Sequence, residues 1–277
     1  LEGRHPRVQG DCSLTLADYA HEIEASGFPG IRTLSPRARR TQLDSYLTRA
    51  LSRDLTDEQG VTVRRPDSLR AWITAYATAT ASTAAWETIR TAASPGDADP
   101  PSKVTTIRYR DWLTALWLLD PVPAWLPYGT ALKGLTKGPK HHLADPALAA
   151  RLMKVGASAL LDGEGRVLTG GPASALGALF ESLATLTVRV CAQTAEATTS
   201  HLRTERGEHE VDLIVERHDG NIVGIEVKLA ASIDDRDVRH LHWLAEHHGP
   251  RVKDLTILTT GPHAYRRPDG IAVVPLG

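Results

Sequence analysis

The sequence predicts an α/β protein with a helical amino-terminal half and a mixed-sheet α/β carboxy-terminal half. Three observations predict it. Up to about residue 120, apolar side chains recur at helical spacing between breaks marked by proline and glycine. From residue 201 the pattern changes to strand-like alternation, folded back on itself at His218-Asp219-Gly220-Asn221, a strong hairpin turn. A helical segment then separates two apolar runs, 222–230 and 255–260, and a β-α-β crossover of that kind requires a parallel pair beside the hairpin.

Length and composition fit this outline. The chain has 277 residues, 42% of them hydrophobic, enough for one large core or two ordinary ones. Glycine, proline and lysine cluster at 134–139, which places the expected division between residues 1–135 and 136–277.

In the first half, residues 14–26 and 36–58 read as helices separated by Gly27-Phe28-Pro29-Gly30. In the second of these, Arg37, Arg39, Arg40, Arg49 and Arg53 accompany Leu43, Tyr46, Leu47, Ala50 and Leu51, a solvated face beside a buried one. A third helix is expected from an N-cap at Asp67 to about Ala93, with Leu69, Trp72, Ile73, Tyr76 and Ala77 on one side. After the polar loop 94–101, Ser102 caps a fourth helix that Pro121 and Pro123 should terminate. Helix, loop, helix and the short extended Ala124-Trp125-Leu126-Pro127 give the outline of a winged-helix-like unit over about 67–128. Such a unit can enter a DNA major groove, here with Lys103, Arg108 and Arg110, or serve as a linker or protein interface.

The second half begins with a short strand at His141-His142-Leu143 that feeds a helix through Ala147, Leu148 and Leu152. Pro172 suits the first position of a long helix whose buried stripe is Leu176, Leu179, Phe180, Leu183, Leu186 and Val190. Glu181 lies beside that stripe, on a strip with Gly177, Ala184 and Val188. Strands are expected at 201–205, 208–217 and 222–230, a helix over 233–248, and strands at 255–260 and 271–274. Gly163-Glu164-Gly165 and Gly170-Gly171 read as turns, and Arg266-Arg267 as part of an exposed turn with Pro268-Asp269-Gly270.

Several function classes are disfavoured. There is no G-x-x-x-x-G-K-[ST] phosphate loop, no G-x-S-x-G elbow and no dinucleotide-binding turn. No window approaches the roughly 18 uninterrupted apolar residues of a membrane span, and the first residues lack the plan of a secretion signal, so a cytoplasmic location is expected. Cys12 and Cys191 form no C-x-x-C pair and are expected to be buried thiols. A formal net charge of −1 argues against indiscriminate coating of nucleic acid, though not against local basic patches. His240, His242, His247 and His248 invite a zinc reading, but most of their spacings do not share a helix face.

The chemistry concentrates on two strands. Alternation puts Val211, Leu213 and Val215 on one side of the first and Asp212, Ile214 and Glu216 on the other. On its partner, Glu226 and Lys228 share a face, and Asp212 joins them if its polar side turns the same way. Two carboxylates with the Val227 carbonyl between them are the hard oxygen donors that Mg²⁺ or Mn²⁺ takes. A neighbouring lysine can orient or deprotonate a water. These parts suit phosphodiester hydrolysis. The plainer reading is a cross-strand surface pair, yet charges within Ile222-Val223-Gly224-Ile225-Glu226-Val227-Lys228 are costly unless paired or metal-bound.

The segments Leu179-Phe180-Glu181-Ser182-Leu183, Glu210-Val211-Asp212-Leu213-Ile214-Val215 and Ile225-Glu226-Val227-Lys228 together resemble the signature of the PD-(D/E)XK, or restriction-endonuclease-like, superfamily. The remainder is similar to the carboxy-terminal region of bacterial and archaeal AAA-type ATPases of unknown role. That likeness rests on Gly27-Phe28-Pro29, Leu43-Asp44-Ser45-Tyr46-Leu47 with Arg53-Asp54, the winged-helix-like middle, and Lys140-His141-His142-Leu143-Ala144-Asp145. The resemblance implies a restriction-endonuclease-like mixed-sheet domain in which Asp212 and Glu226 bind Mg²⁺ or Mn²⁺, Lys228 serves the water and Glu181 assists the metal. Members of that family carry an amino-terminal P-loop ATPase domain that this sequence lacks, so the chain is expected to be the part that follows it. The expected function is a divalent-metal-dependent nuclease, acting on DNA with an ATPase domain or protein partner. The alternative is a non-catalytic DNA- or protein-binding module with an inactive nuclease-like fold.

Overall fold

A computed structural model describes residues 7–55, 57, 65–94, 99–127, 138–165, 167–168, 174–204 and 206–277. The chain divides into two compact units that alternate along it. One comprises Leu1–Tyr19, Val122–Pro139 and Ala184–Gly277, the other Ala20–Pro121 and Lys140–Leu183. The linear division between residues 135 and 136 does not follow these units.

The second unit is helical. Its elements are α1 (Leu16–Ala25), α2 (Pro29–Arg32), α3 (Pro36–Arg49), α4 (Pro66–Thr78), α5 (Trp86–Ala92), α6 (Lys103–Ala115), α7 (Pro146–Met153), α8 (Ala157–Leu161) and the first part of α9 (Ala175–Thr194); α1 and α9 each contribute to both units. In α3, Leu43 and Leu47 are buried while Arg37, Arg40 and Arg49 are exposed, as the spacing requires. The helix gives way to a π-helical turn at Ala50–Asp54. Residues 56 and 58 of the expected helix lie outside the described residues.

The single helix expected over 67–93 is two. Pro66 takes the first helical position, where its missing N–H costs nothing, so Arg65 is the N-cap and Asp67 lies in the first turn. The break has a polar cause: the Thr80 and Ser82 hydroxyls donate to the Ala77 and Ala79 carbonyls, and Ala81 takes a left-handed φ of 57°. Ala81 N–H then donates to the His141 carbonyl at 2.8 Å, and His141 N–H to the Ser82 carbonyl at 2.8 Å. Residues 141 and 143 therefore form isolated bridges rather than a strand. Ser102 does cap α6, its Oγ accepting from Thr105 N at 3.2 Å. The helix ends before the prolines, where Trp117 turns left-handed and Leu118 N–H returns to the Leu113 carbonyl.

The first unit holds a seven-stranded mixed sheet: β1 (Gly10–Asp11), β2 (Ala197–Arg203), β3 (Glu210–Arg217), β4 (Ile222–Lys228), β5 (Val252–Thr259), β6 (His263–Arg266) and β7 (Ala272–Pro275), in the order β1-β6-β7-β5-β4-β3-β2. Strands β2, β3 and β4 are antiparallel neighbours, and β4-β5 and β5-β7 are parallel. Helix α10 (Arg239–His248) makes the crossover from β4 to β5. It starts six residues later than expected, because Asp234 closes a turn by accepting from Arg236 N. Residues 124–125 attach to this unit, with Trp125 N–H donating to the His201 carbonyl and Ala124 bridging His201.

Each face of the sheet has its own core. Leu213, Val215 and Ile225 pack with Val188 and Ala192 of α9. Val211, Ile214 and Ile257 pack with Leu241 and Leu244 of α10. Helix α10 sits close to β4 because Gly224 has no side chain: a Cβ there would come within 2.5 Å of Leu244 Cδ2 and 3.1 Å of Leu255 Cδ2.

Some expectations are corrected. Val190 is 56% exposed, and the buried stripe of α9 shifts to Ala184, Val188 and Ala192. Cys191 is exposed and Cys12 half-buried. Arg266 and Arg267 are held by Asp254 and by Asp235 with Asp269. Pro172 and Gly170-Gly171 lie outside the described residues, whereas Gly163 and Gly165 have the positive φ of turns. By length and composition α9 is apolar enough to cross a membrane, with half of its most apolar window buried inside the protein.

Candidate functional site

Strand β4 presents an acidic side chain in an apolar run. Glu226 is 3% exposed, and Lys228, two residues on and on the same side, places Nζ 3.7 Å from Glu226 Oε2. The Lys228 side chain remains about a third exposed. The acid is thus inside and the base at the rim. Burying a carboxylate is costly without a compensating charge or hydrogen bonds, so this pair is a candidate for function rather than decoration.

Asp212 lies beside an irregularity of β3 that alternation does not reveal. Ser200 pairs with Ile214 but Leu202 pairs with Val211, so Asp212 and Leu213 both stand opposite His201. This is a β-bulge, which bends a strand and re-aims side chains. It corrects the expected alternation: Val211 packs in the same core as Ile214, not with Leu213 and Val215. On the other side, the β3-β4 pairing ends at Leu213 and Ile225, just before Asp212 and Glu226. The buried Asp212 carboxylate accepts from the Val227 backbone N–H at 2.9 Å. Asp212 is thereby tied to the β4 backbone at Val227, the residue between Glu226 and Lys228.

Glu181 belongs to the helical unit. Its Oε1 accepts from Lys140 Nζ at 2.8 Å, and the Lys140 side chain is 1% exposed. Reasoning from the sequence did not single out Lys140 as its partner, and one signal was available: Lys140 opens the Lys-His-His-Leu-Ala-Asp run, all of which is buried apart from the half-buried Ala144. The rest of that run is structural. His141 Nε2 pairs with the Ala84 carbonyl at 2.8 Å, and its ring packs edge-on against Tyr76 and Trp86. His142 Nδ1 meets Ser182 Oγ at 3.3 Å. Asp145 accepts from Ser26 Oγ, Gly27 N and Ala147 N, locking the Gly27 turn to the start of α7.

The histidines of α10 have separate partners. His242 meets Asp269, His247 Nδ1–H donates to the Trp243 carbonyl, and buried His248 packs edge-on against Trp125. Burial pushes the pKa of His240 down, with help from the charges of Arg239, His209 and Lys228. Among the described residues no three His, Cys, Asp or Glu side chains form a ready-made metal cage. In the helical unit Lys103 and Arg108 are exposed, while Arg110 lies 5.1 Å from the centroid of the Trp86 ring.

Two family models match. One, described as a domain of unknown function (DUF8612), covers residues 16–159, more than half of the chain. The other, also a domain of unknown function (DUF4143), covers residues 176–277 and is found in AAA-ATPase-associated carboxy-terminal regions. No curated protein and no solved structure matches the chain.

Proposed function

The chain belongs to the DUF8612 family, and we propose that its sheet unit is a restriction-endonuclease-like domain that hydrolyses phosphodiester bonds of nucleic acid, DNA by preference, with Mg²⁺ or Mn²⁺. The observation that supports this reading best is the hydrogen bond from Val227 N–H to the buried Asp212 carboxylate, which ties a second acid to the backbone between Glu226 and Lys228. Two carboxylates and the Val227 carbonyl are all hard oxygen donors, the kind both ions select. An ion bound there would lower the pKa of a water and offset phosphate charge.

The side chains have separable roles in this reading. Glu226 and Asp212 supply negative charge in a poorly hydrated position, which draws a cation and discourages a bare anion. Asp212 is held in place by the Val227 N–H, so its orientation does not have to be found on binding. Lys228 keeps enough exposure to meet solvent and substrate, where its ammonium orients a water or a phosphate oxygen. Glu181 enters the reading through family likeness alone. The match over 176–277 supports a working partnership with an ATPase domain, and the exposed Lys103 and Arg108 are the first residues to test for DNA contact by the winged-helix-like region.

The test is plasmid nicking with Mn²⁺ or Mg²⁺, alongside calorimetry of Mn²⁺ binding. Wild type should nick and bind; Asp212→Ala and Glu226→Ala should do neither. Equal nicking by variants and wild type would mean a contaminant. Salt-sensitive DNA binding that persists in chelator without any nicking would leave the non-catalytic module instead.

A further inference from the structure

Three flat rings meet between α10 and the residue that precedes β3. His209 and Trp243 lie 4.5 Å apart between centroids at an interplanar angle of 13°, and Trp243 and His247 lie 4.3 Å apart at 27°. His240 meets the near end edge-on, 5.7 Å from His209. Trp243 borders the core that α10 makes with the sheet, so its packing needs no further explanation. His247 is different: it is exposed, lies outside that core, and is nevertheless fixed, because its Nδ1–H donates to the Trp243 carbonyl at 2.8 Å. The result is a pre-set aromatic face at the outer end of a stack.

The stack starts beside the candidate site. His209 lies three residues before Asp212, and Lys228 is close enough for its charge to bear on His240. From His240 to His247 the helix rises about 10 Å, roughly three stacked nucleotides at 3.4 Å each. Exposed Arg239, whose Nε–H donates to His240 Nε2, adds positive charge near the site end.

We propose that the His247 ring is a stacking platform for an unpaired base of a nucleic-acid strand whose backbone runs to Lys228. This rests on the nuclease reading and specifies its substrate: a single-stranded region, held by a base face without sequence readout. Flatness and fixed orientation are what such stacking needs, and Arg239 at the site end offers positive charge to the strand's backbone. A duplex, whose bases are already stacked on each other, would not use it.

Fluorescence anisotropy of a labelled single-stranded oligonucleotide, measured on the whole chain in chelator so that no cleavage intervenes, tests this. His247→Ala should bind about tenfold more weakly, and His247→Tyr should keep most of the affinity. An abasic strand of equal length should bind wild type more weakly by a similar factor, and His247→Ala should no longer distinguish the two strands. Circular dichroism checks that the exposed substitution leaves the fold intact. Wild-type affinity in His247→Ala, or undiminished discrimination against the abasic strand, overturns the platform. If metal-dependent nicking is intact in that case, the platform alone falls; if no variant binds any strand and none nicks, the nuclease reading falls with it.

Discussion

Two lysine–glutamate pairs are built in opposite senses. In Lys140–Glu181 the lysine is buried at 1% exposure, the glutamate is at 17%, and the contact is a hydrogen bond of 2.8 Å. In Lys228–Glu226 the glutamate is buried at 4%, the lysine is at 31%, and the separation is 3.7 Å. The first puts a cation inside and closes a short bond on it. The second puts an anion inside and leaves its cation on a longer leash, at the mouth. The first arrangement suits a fixed element; the second leaves room for a ligand to come between.

Breaking the open pair should have the largest effect on chemistry. Glu226→Ala should reduce metal-dependent plasmid nicking by at least about a hundredfold, and nicking at the wild-type rate would end the claim that the two pairs differ in role. Breaking the closed pair should have the largest effect on stability. Lys140→Met leaves Glu181 without its buried partner and should cost about 3–5 kcal/mol in urea unfolding. Replacing both, Lys140→Met with Glu181→Leu, should recover much of that loss; a double variant as unstable as the sum of the two single changes would mean that the bond is not what the lysine contributes.

The comparison also shows what a sequence discloses. The turn at 218–221, the E-x-K strand and the crossover to β5 are local patterns with fixed periods, and each is present, though the crossover helix starts six residues late and β5 three residues early. The bulge at Asp212 is invisible to alternation because it depends on how β2 pairs with β3 across intervening chain. Likewise β1 is two residues long and exists only by pairing with β6, some 250 residues later. The break at Ala81 needed the backbone of His141 as its partner. Local chemistry was legible; long-range pairing, which moved Val211 into the core of Ile214, was not.

A smaller, pH-dependent effect sharpens the contrast between the units. Burial pushes His141 below its ordinary value of 6.5, with the bond to the Ala84 carbonyl acting the other way. The folded state therefore holds it neutral while the unfolded chain takes up a proton. Its contribution is complete above about pH 6.5 and is lost as the pH falls through the lower folded value, by at most about 1.4 kcal/mol per pH unit. His141→Gln should flatten the fall in melting temperature between about pH 7.5 and about pH 5; an unchanged slope would move the effect to His240 and His248, which burial lowers too. A smaller stability change belongs to the rim: Lys228→Ala removes the countercharge 3.7 Å from buried Glu226 and should cost about 1–3 kcal/mol while nicking falls. A large destabilisation would show that the open pair is as structural as the closed one.

Gly224 stands two residues before Glu226, under α10, where a methyl group would meet Leu244. The helix that carries Trp243 and His247 is therefore seated against the strand that carries Glu226 and Lys228 by the lack of one carbon atom. A relative with the same two acids and lysine but a bulkier residue at this place would keep the letters of the site and lose its spacing. Position 224 thus sets the fit between this helix and the strand that carries the proposed site, at a residue that takes no part in the site itself.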